Sequence, residues 1–583
     1  MNALGDRLRE AREARDVSID EAVEATRIPR IYVEALEAGE WSAFTSDLHL
    51  RGFLRNYSLF LGVAPEETAS LYDDLTGKRR SNPLQQALSA RGRGVASTLF
   101  VDILLALVLL AVVALGGFVA YRQYQTWSVT PEPVAVVTAA PTREPPPVTT
   151  RYEMGVNLDY QARQLRVQEE IGYTNVTSTT LADLVLNVPA NHAQNVFDLN
   201  DMELAVAGVW QDVRPKYSLL DTTLRVELPR GLEPGEDVTL RLNFELRLPR
   251  IRPDEEFTGA SLGYSTRALS LGNWYPVLAV YRKEKGWYSL PYYMVGDPYV
   301  TEVADYAVTI TATQGITLAG AGLARQGDGA WYATLPKARS FAFAASDRYR
   351  LLTGNADGIE VQAYHFPGHE EAAAAVLNAA VLSVELFQET YGPYPYPMYS
   401  VLETEFAGGL EFSALCFLGS TFYEEYDGST RNTLIPLTAH EVAHQWWYGV
   451  VGNDQVGEPW LDEALAVYSG LLYYERYYPA DTQWWWDTVV EFWAPTGKID
   501  SGIYAFRGNR EYEDAVYRRG SQFLADLRQA MGDEAFFAFL QEYYRQQAYH
   551  LSTAEAFFEL IPRFSTVSLM PLQEEYFRSR IVP

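Results

Sequence analysis

The chain has 583 residues, of which 48% are hydrophobic and 13% aromatic, and this composition excludes a protein that is disordered as a whole. Its 47 Lys and Arg residues against 75 Asp and Glu residues give a formal net charge of −28, which argues against general affinity for nucleic acid. Cys416 is the one cysteine, so an internal disulfide framework is excluded. The length predicts roughly three to five domains.

Residues 1–75 have the pattern of a compact helical domain. Leu4 and Leu8 lie at helical spacing, and Ser18 with Glu21 matches a capping box at the start of a second helix. Short helices joined by tight turns predict an all-α helix-turn-helix domain.

Three segments of this domain, 4–15, 32–39 and 50–57, resemble the cytoplasmic domain of RodZ, a bacterial cell-shape protein. In that family the domain is similar to DNA-binding modules but contacts the actin-like cytoskeleton, which implies a cytoplasmic protein partner. The candidate recognition helix offers Arg30 beside several glutamates, whereas reading base edges requires basic and amide side chains. We therefore expect a protein partner, with DNA as the less favoured alternative.

An apolar run of nineteen residues, 103–121, contains no charged side chain. A run of that length can span a bilayer, so we predict a single transmembrane helix at 98–121. Five basic residues lie in the preceding segment 76–97, whereas Arg122 alone follows immediately, which predicts a cytoplasmic N-terminus and an extracytoplasmic remainder. We expect a single-pass protein of the cell membrane, with the proline-rich segment 122–150 as an extended linker.

The segment 151–350 has short runs of alternating apolar and polar residues, separated by turn residues. Runs such as 164–173 and 238–246 are typical of strands with one buried face, which predicts an antiparallel β sandwich. From 351 to 583 the pattern changes to helix, beginning with an alanine-rich run at 370–389.

A His-Glu-x-x-His pattern at 440–444 predicts a metal site. His440 and His444 are four residues apart, so one helix places both on the same face, at a separation that suits one tetrahedral ion. Glu463, nineteen residues later on a second predicted helix, is the expected third ligand and leaves one position open for water. Glu441 lies beside the first histidine and is placed to act on that water. The pattern therefore predicts one catalytic zinc ion.

This motif, together with Glu463 in a Trp-Leu-Asp-Glu segment, resembles the aminopeptidase N family of zinc peptidases. The resemblance extends over about 151–583 and includes the segments 408–411, Gly-Gly-Leu-Glu, and 516–520, Val-Tyr-Arg-Arg-Gly. It implies a saddle-shaped β domain at 151–350 and a thermolysin-like, mostly helical α+β catalytic domain at 351–583.

The same resemblance implies a role for each matched residue. Glu441 would be the general base, and Tyr517 would stabilise charge on the carbonyl oxygen. The substrate would be bound by the glycine-rich segment, where Glu411 would pair with the free α-amine beside Gly408 and Gly409. The predicted function is a membrane-anchored zinc aminopeptidase that removes N-terminal residues from peptides outside the cytoplasmic membrane.

Two other functions remain open at this stage. Only 120 residues follow Glu463, so we expect the large helical cap of longer family members to be absent, and an open cleft would suit an endopeptidase. Alternatively, the protein is a scaffold or sensor whose cytoplasmic domain binds a partner and whose outer domain merely binds peptides. The intact general base, Glu441, argues against the scaffold.

Overall fold

A computed structural model describes two parts of the chain. In the N-terminal part the described residues are 3–15, 17–26, 28, 30–39, 41, 50, 54, 57–58, 60–63, 68 and 71–72; in the remainder they are 143–581 except 212–214, 252–260, 284 and 327–328. The chain forms two compact units, 1–132 and 133–583, and each is described by itself.

The N-terminal unit is helical, as the sequence predicts. Its described helices are α1 (Ala3–Ala14), α2 (Ile19–Thr26) and α3 (Arg30–Ala38). Leu4 and Leu8 of α1 are fully buried against Leu36 of α3. Beside this core the Arg12 guanidinium donates two hydrogen bonds, of 2.7 and 2.9 Å, to the buried Glu37 carboxylate. One glutamate of the candidate recognition helix is therefore committed to the interior of the domain.

No helix in the described ranges is long and apolar enough to cross a membrane. The predicted transmembrane helix at 98–121, the basic segment 76–97 and the linker as far as residue 142 lie outside those ranges. The topology inferred from them stays a prediction.

The second unit begins with a β-rich region. Its strands are β1 (Thr150–Asp159), β2 (Gln164–Thr174), β3 (Leu181–Asn187), β4 (Phe197–Val206), β5 (Val209–Trp210), β6 (Tyr217–Leu220), β7 (Thr223–Leu232), β8 (Asp237–Arg247), β9 (Leu262–Tyr264), β10 (Leu269–Leu271), β11 (Val277–Leu278), β12 (Val280–Arg282), β13 (Gly286–Tyr288), β14 (Ala304–Ala312), β15 (Thr317–Gly320), β16 (Ala324–Arg325), β17 (Trp331–Ala338) and β18 (Phe343–Ser346). Eight of them form one sheet in the order β16-β17-β14-β1-β2-β8-β4-β5.

The large sheet is mixed, so the prediction of a purely antiparallel domain was wrong. β1 pairs antiparallel with β2 but parallel with β14, where Arg151 lies opposite Asp305. Alternation along β1, whose even-numbered residues Tyr152, Met154 and Val156 are buried, reveals a half-buried strand but not the direction of its neighbour. The long connection between β1 and β14 permits the parallel pairing.

The remainder of the unit combines a small sheet with helices. The sheet, in the order β19-β20-β21-β23-β22, contains β19 (Arg350–Ala356), β20 (Ile359–His365), β21 (Met398–Thr404), β22 (Gly409–Phe412) and β23 (Leu415–Gly419). The helices are α4 (Glu370–Thr390), α5 (Ser420–Glu424), α6 (Leu434–Ala443), α7 (Trp460–Tyr477), α8 (Thr482–Trp485), α9 (Asn509–Tyr512), α10 (Arg519–Met531), α11 (Asp533–Gln547), α12 (Ala554–Leu560) and α13 (Met570–Tyr576), and β24 (Gly452–Asn453) pairs with β25 (Leu551–Ser552).

This remainder, 350–581, is mixed α+β and is called the catalytic region below, after the role predicted for it. Strands rather than a helix begin it. The expected switch to helix at residue 351 was wrong, because β19 and β20 precede α4. The glycine-rich strand β22 lies at the edge of this sheet and contacts α6, which carries the His-Glu-x-x-His pattern.

One buried arginine joins the β-rich region to the catalytic region. The Arg339 side chain is 1% exposed and donates hydrogen bonds to four backbone carbonyls, those of Tyr448 (2.6 Å), Thr301 (2.9 Å), His550 (2.9 Å) and Val450 (3.4 Å). Burial lowers the pKa of Arg339 to about 10, so the guanidinium remains charged at neutral pH. Its fixed fork of donors satisfies carbonyls from three separate segments.

We expect Arg339→Met to lower the free energy of unfolding of this unit by at least about 3 kcal/mol, because several buried carbonyls lose their donors at once. The measurement is guanidinium-induced unfolding followed by tryptophan fluorescence. Arg325→Met, at an exposed site in β16, is the control and should change stability by less than about 0.5 kcal/mol. Equal stability of the two variants would contradict a joining role for Arg339.

Candidate active site

Two packed helices bring the three predicted metal ligands together. His440 lies in the last turn of α6, His444 caps its C-terminal end, and Glu463 lies in the first turn of α7. The Nε2 atoms of His440 and His444 are 3.1 Å apart, and each lies 3.4 Å from Oε2 of Glu463. All three side chains are buried or nearly so.

The geometry of these groups suits a bound cation. Nδ1 of His444 lies 3.0 Å from the Trp447 carbonyl oxygen, which can only accept, so Nδ1 donates to it and Nε2 is the ring nitrogen that faces Glu463. Oε2 of Glu463 is buried without a hydrogen-bond donor in the described part of the chain. Acceptor atoms this close repel one another unless a positive charge lies between them.

The donor set and its spacing fit zinc. Zinc prefers tetrahedral coordination by His nitrogen and carboxylate oxygen at about 2.0–2.2 Å, which separates neighbouring ligand atoms by about 3.3–3.5 Å. The observed separations of 3.1, 3.4 and 3.4 Å agree with that spacing. His440, His444 and Glu463, the residues predicted from the sequence, are therefore the ones that would hold the ion.

Glu441 lies where the metal helix meets the glycine-rich strand. Its side chain is 3% exposed, and Oε2 has no hydrogen-bond donor in the described ranges. Burial raises the pKa of Glu441 well above its ordinary value, and the carboxylates of Glu411 and Glu463 add to the increase. A buried carboxylate with an elevated pKa is suited to accept and release a proton.

The structure requires glycine for different reasons at Gly408 and Gly409, the two glycines predicted for substrate binding. Gly408 has φ +136, a left-handed conformation that favours glycine, and its carbonyl accepts a hydrogen bond of 2.9 Å from the Gly419 amide. At Gly409 a Cβ atom would lie only 1.9 Å from Oε1 of Glu441. The absence of a side chain at Gly409 therefore makes room for the carboxylate of Glu441.

Glu411 projects from β22 into a cavity. Its side chain is 7% exposed, and Oε1 accepts a hydrogen bond of 3.3 Å from Nε2 of Gln455. The walls of the cavity are mainly aromatic and polar, and they include Asp297, Tyr275, Phe412 and Tyr448. Burial raises the pKa of the Glu411 carboxyl. The cavity can take a small group that offers hydrogen-bond donors to Glu411.

Tyr517 lies on a π-helical turn, Glu513–Arg518, between α9 and α10. Its ring stacks on His440, with centroids 5.7 Å apart and planes 20° apart. Burial, with the Glu463 carboxylate adding to it, raises the pKa of Tyr517 well above 10, so the hydroxyl remains protonated and can donate. The structure thus places the predicted site residues on or directly beside the neighbouring elements β22, α6, α7 and this turn.

Several residues around the site were not predicted from the sequence. Asp297 of the β-rich region and Gln455 line the cavity beside Glu411. Asp462, which the sequence indicated only as a neighbour of the ligand, accepts hydrogen bonds from Asn453 (3.1 Å) and the Glu463 amide (3.0 Å) and so orients the start of α7. The segment 296–300 was expected from the family resemblance to belong to the β domain, but nothing local indicated which cavity it would line.

Comparison with protein families identifies two parts of the chain. Residues 7–68 match the model of a helix-turn-helix domain. Residues 375–576 match the model of the peptidase family M1 domain. The resemblance inferred from the zinc-binding motif is thereby confirmed over this segment, and zinc is the ion that it implies.

Curated relatives match about a third of the chain. Aminopeptidase M1 of Arabidopsis thaliana is 27% identical over 214 residues, which cover 34% of this chain and 24% of that protein. Aminopeptidase N of Lactococcus lactis subsp. lactis is 26% identical over 212 residues, 33% of this chain and 25% of that protein. The chain spans about a quarter of the length of these relatives.

The similarity to solved structures covers more of the chain than the sequence matches do. The crystal structure of an M1 zinc metallopeptidase from Deinococcus radiodurans superposes with a TM-score of 0.53 at 18% identity and covers 75% of this chain and 94% of that protein. A mutant of the Deinococcus enzyme bound to a Tyr-Ser-Ala substrate gives the same TM-score at 17% identity. The likeness therefore includes the β-rich region as well as the catalytic region.

We expect His444→Ala to reduce bound zinc from about one ion per chain to a trace, because two remaining ligands hold the ion weakly. Metal content after dialysis, measured by inductively coupled plasma mass spectrometry, tests this. His192→Ala, in the short helix Pro189–His192 of the β-rich region, is the control and should keep its zinc. Full zinc content in His444→Ala would rule out this ligand set.

We expect Gly409→Ala to lower kcat by about 100-fold while zinc remains bound, because the new Cβ displaces the Glu441 carboxylate and leaves the metal ligands in place. Peptidase kinetics and zinc content are measured on the same sample. Gly172→Ala, where no heavy atom lies within 4 Å of the added Cβ, is the matched control. An unchanged kcat would mean that Glu441 does not need its present position.

Proposed function

We propose that the protein is a zinc aminopeptidase that hydrolyses the first peptide bond of peptides with a free N-terminus. The observation that carries the proposal is the convergence of three closely spaced ligand atoms, of His440, His444 and Glu463, in a segment that matches the peptidase family M1 domain. Glu441, on the same helix as the two histidines and with no hydrogen-bond donor to its Oε2 in the described residues, supports hydrolysis rather than metal storage, since a storage site needs no general base.

Zinc bound by these ligands supplies a Lewis acid, which polarises the scissile carbonyl and makes water more acidic. Glu441 accepts the proton of the attacking water and then delivers it to the departing amine. Burial raises the pKa of Glu441 above its ordinary value, which strengthens its carboxylate as a proton acceptor.

Tyr517 and Glu411 act on the two ends of the first residue. The protonated Tyr517 hydroxyl donates a hydrogen bond to the carbonyl oxygen as negative charge develops there. Glu411, in the cavity beside Gln455, accepts hydrogen bonds from the α-ammonium group. A blocked amine would leave the buried carboxylate without its cation, and this cost selects peptides with a free N-terminus.

We infer from the sequence that the enzyme is anchored by a transmembrane helix at 98–121, with its catalytic region outside the cytoplasm. The preceding basic residues and the apolar run support this topology. The helix-turn-helix domain would then lie in the cytoplasm, where a protein partner is favoured over nucleic acid because Glu37 is buried with Arg12 and Glu34 pairs with Arg30.

The test is hydrolysis of aminoacyl-coumarin substrates and their N-acetylated counterparts by the full-length protein, purified in mild detergent. We expect cleavage of the free-amine series alone, loss of activity with a zinc chelator, and a kcat at least about 100-fold lower in Glu441→Gln. Glu411→Gln should lower kcat/KM for free-amine substrates by about tenfold or more, since a hydrogen bond to a charged group is worth about 1.5–3 kcal/mol.

Glu425→Gln, at an exposed site after α5, is the control for the carboxylate substitutions and should match the unmodified protein. Equal cleavage of acetylated substrates would contradict the role of Glu411 and indicate an endopeptidase. Bound zinc with no turnover of any substrate would instead favour a peptide-binding scaffold.

A further inference from the structure

We propose that Tyr512 is a positioning residue for Tyr517, and that Gly296 of the β-rich region holds Tyr512 in place. The expected effect on kcat rests on the role proposed above for Tyr517. The contacts among Gly296, Tyr512 and Tyr517 do not depend on that role. The β-rich region would thereby control the position of a hydroxyl group in the catalytic region.

The π-helical turn brings Tyr512 and Tyr517 together. In an α-helix, residues five apart point about 140° away from each other around the axis. In a π-helix each turn closes from residue i to residue i+5, so side chains five apart lie on the same side. The turn Glu513–Arg518 begins directly after Tyr512, and the two tyrosine rings lie edge to face with centroids 5.5 Å apart and planes at 74°.

Tyr512 itself has little freedom to move. Its side chain is 1% exposed, and its ring packs edge to face on Phe506 with centroids 5.5 Å apart. Tyr517, by contrast, is only half-buried and faces the metal ligands. Its ring lies between His440 on one side and Tyr512 on another, so the position of Tyr512 limits the positions open to the Tyr517 hydroxyl.

Gly296 closes the remaining side of Tyr512. It has φ +66, and a Cβ atom there would lie 3.0 Å from Cζ and 3.1 Å from the hydroxyl oxygen of Tyr512, and 2.8 Å from Cγ2 of Ile503. Real Cβ atoms essentially never make contacts shorter than 3.0 Å, and contacts of 3.0–3.1 Å are rare, so a side chain at Gly296 would have to displace Ile503 and press on Tyr512.

The segment around Gly296 is anchored to the segment before α9. The Tyr293 hydroxyl donates a hydrogen bond to the Phe506 carbonyl, and the Tyr504 hydroxyl donates one to the Pro291 carbonyl. The rings of Tyr293 and Tyr504 also pack together, with centroids 5.1 Å apart. These contacts hold the glycine against Tyr512 and complete a series of contacts from the β-rich region through Tyr512 to Tyr517.

The first experiment is a double-mutant cycle in the full-length enzyme. Tyr512→Leu is expected to lower kcat by about 10- to 100-fold with KM within about twofold, because the hydroxyl of Tyr517 is misplaced by a fraction of an ångström to an ångström. Tyr512→Phe keeps the ring and should rescue most of this loss. In the double variant that combines Tyr517→Phe with Tyr512→Leu, kcat should be little lower than in Tyr517→Phe alone.

The second experiment tests the glycine. Gly296→Ala should reproduce the kcat loss of Tyr512→Leu, because its Cβ displaces Tyr512. Gly286→Ala is the matched control: it has φ +76, so its backbone is strained to a similar degree, but no heavy atom lies within 4 Å of the added Cβ. The control should retain the unmodified kcat.

A readout independent of activity separates this proposal from the proposed function. Tyr517 is replaced by 3-fluorotyrosine in the full-length protein, and its fluorine NMR resonance is recorded in each background. We expect the resonance to shift or broaden in Tyr512→Leu and Gly296→Ala and to stay unchanged in Gly286→Ala.

An unchanged resonance in both Tyr512→Leu and Gly296→Ala would overturn the positioning role, as would additive losses of kcat in the double-mutant cycle. Shifted resonances in a protein without peptidase activity would support the contacts and overturn the proposed function alone.

Discussion

The site depends on the close approach of three ligand atoms in a buried environment. Nε2 of His440, Nε2 of His444 and Oε2 of Glu463 lie between 3.1 and 3.4 Å from one another. A cation bound between them stabilises two ring nitrogens and a carboxylate at this spacing. Around it lie two further carboxyl groups, those of Glu411 and Asp462, whose pKa values are raised by burial and further by the Glu463 carboxylate.

Aromatic packing and glycine contacts hold this charged centre in place. Glu441 can lie beside the ligands because Gly409 has no side chain, and Tyr517 can face them because a π-helical turn rotates it onto His440. Neither feature adds a chemical group to the site. Both determine whether the groups already present lie close enough to act together. A misplacement of about 1 Å is enough to lower the rate of a reaction that depends on such positioning.

The β-rich region takes part in the site rather than only supporting it. Arg339 ties backbone carbonyls of the catalytic region to its own segment, Asp297 lines the cavity at Glu411, and Gly296 contacts Tyr512. An interface that carries a buried charge, a cavity wall and a glycine contact has little tolerance for relative movement. The two regions accordingly form one compact unit.

The metal ligands and the helical N-terminal domain could be predicted from the sequence, because these predictions depend on spacing along the chain: four residues on one helix face, or a cap three residues before its partner. Prediction from the sequence failed on the direction of β1 against β14 and on the strands that precede α4, since alternation reports burial of a strand but not its neighbour. That Gly296, Asp297 and Arg339 lie beside the site became clear from the folded chain and not from the sequence. Their contacts join segments far apart in the chain, and no local pattern records which distant surface a turn will meet.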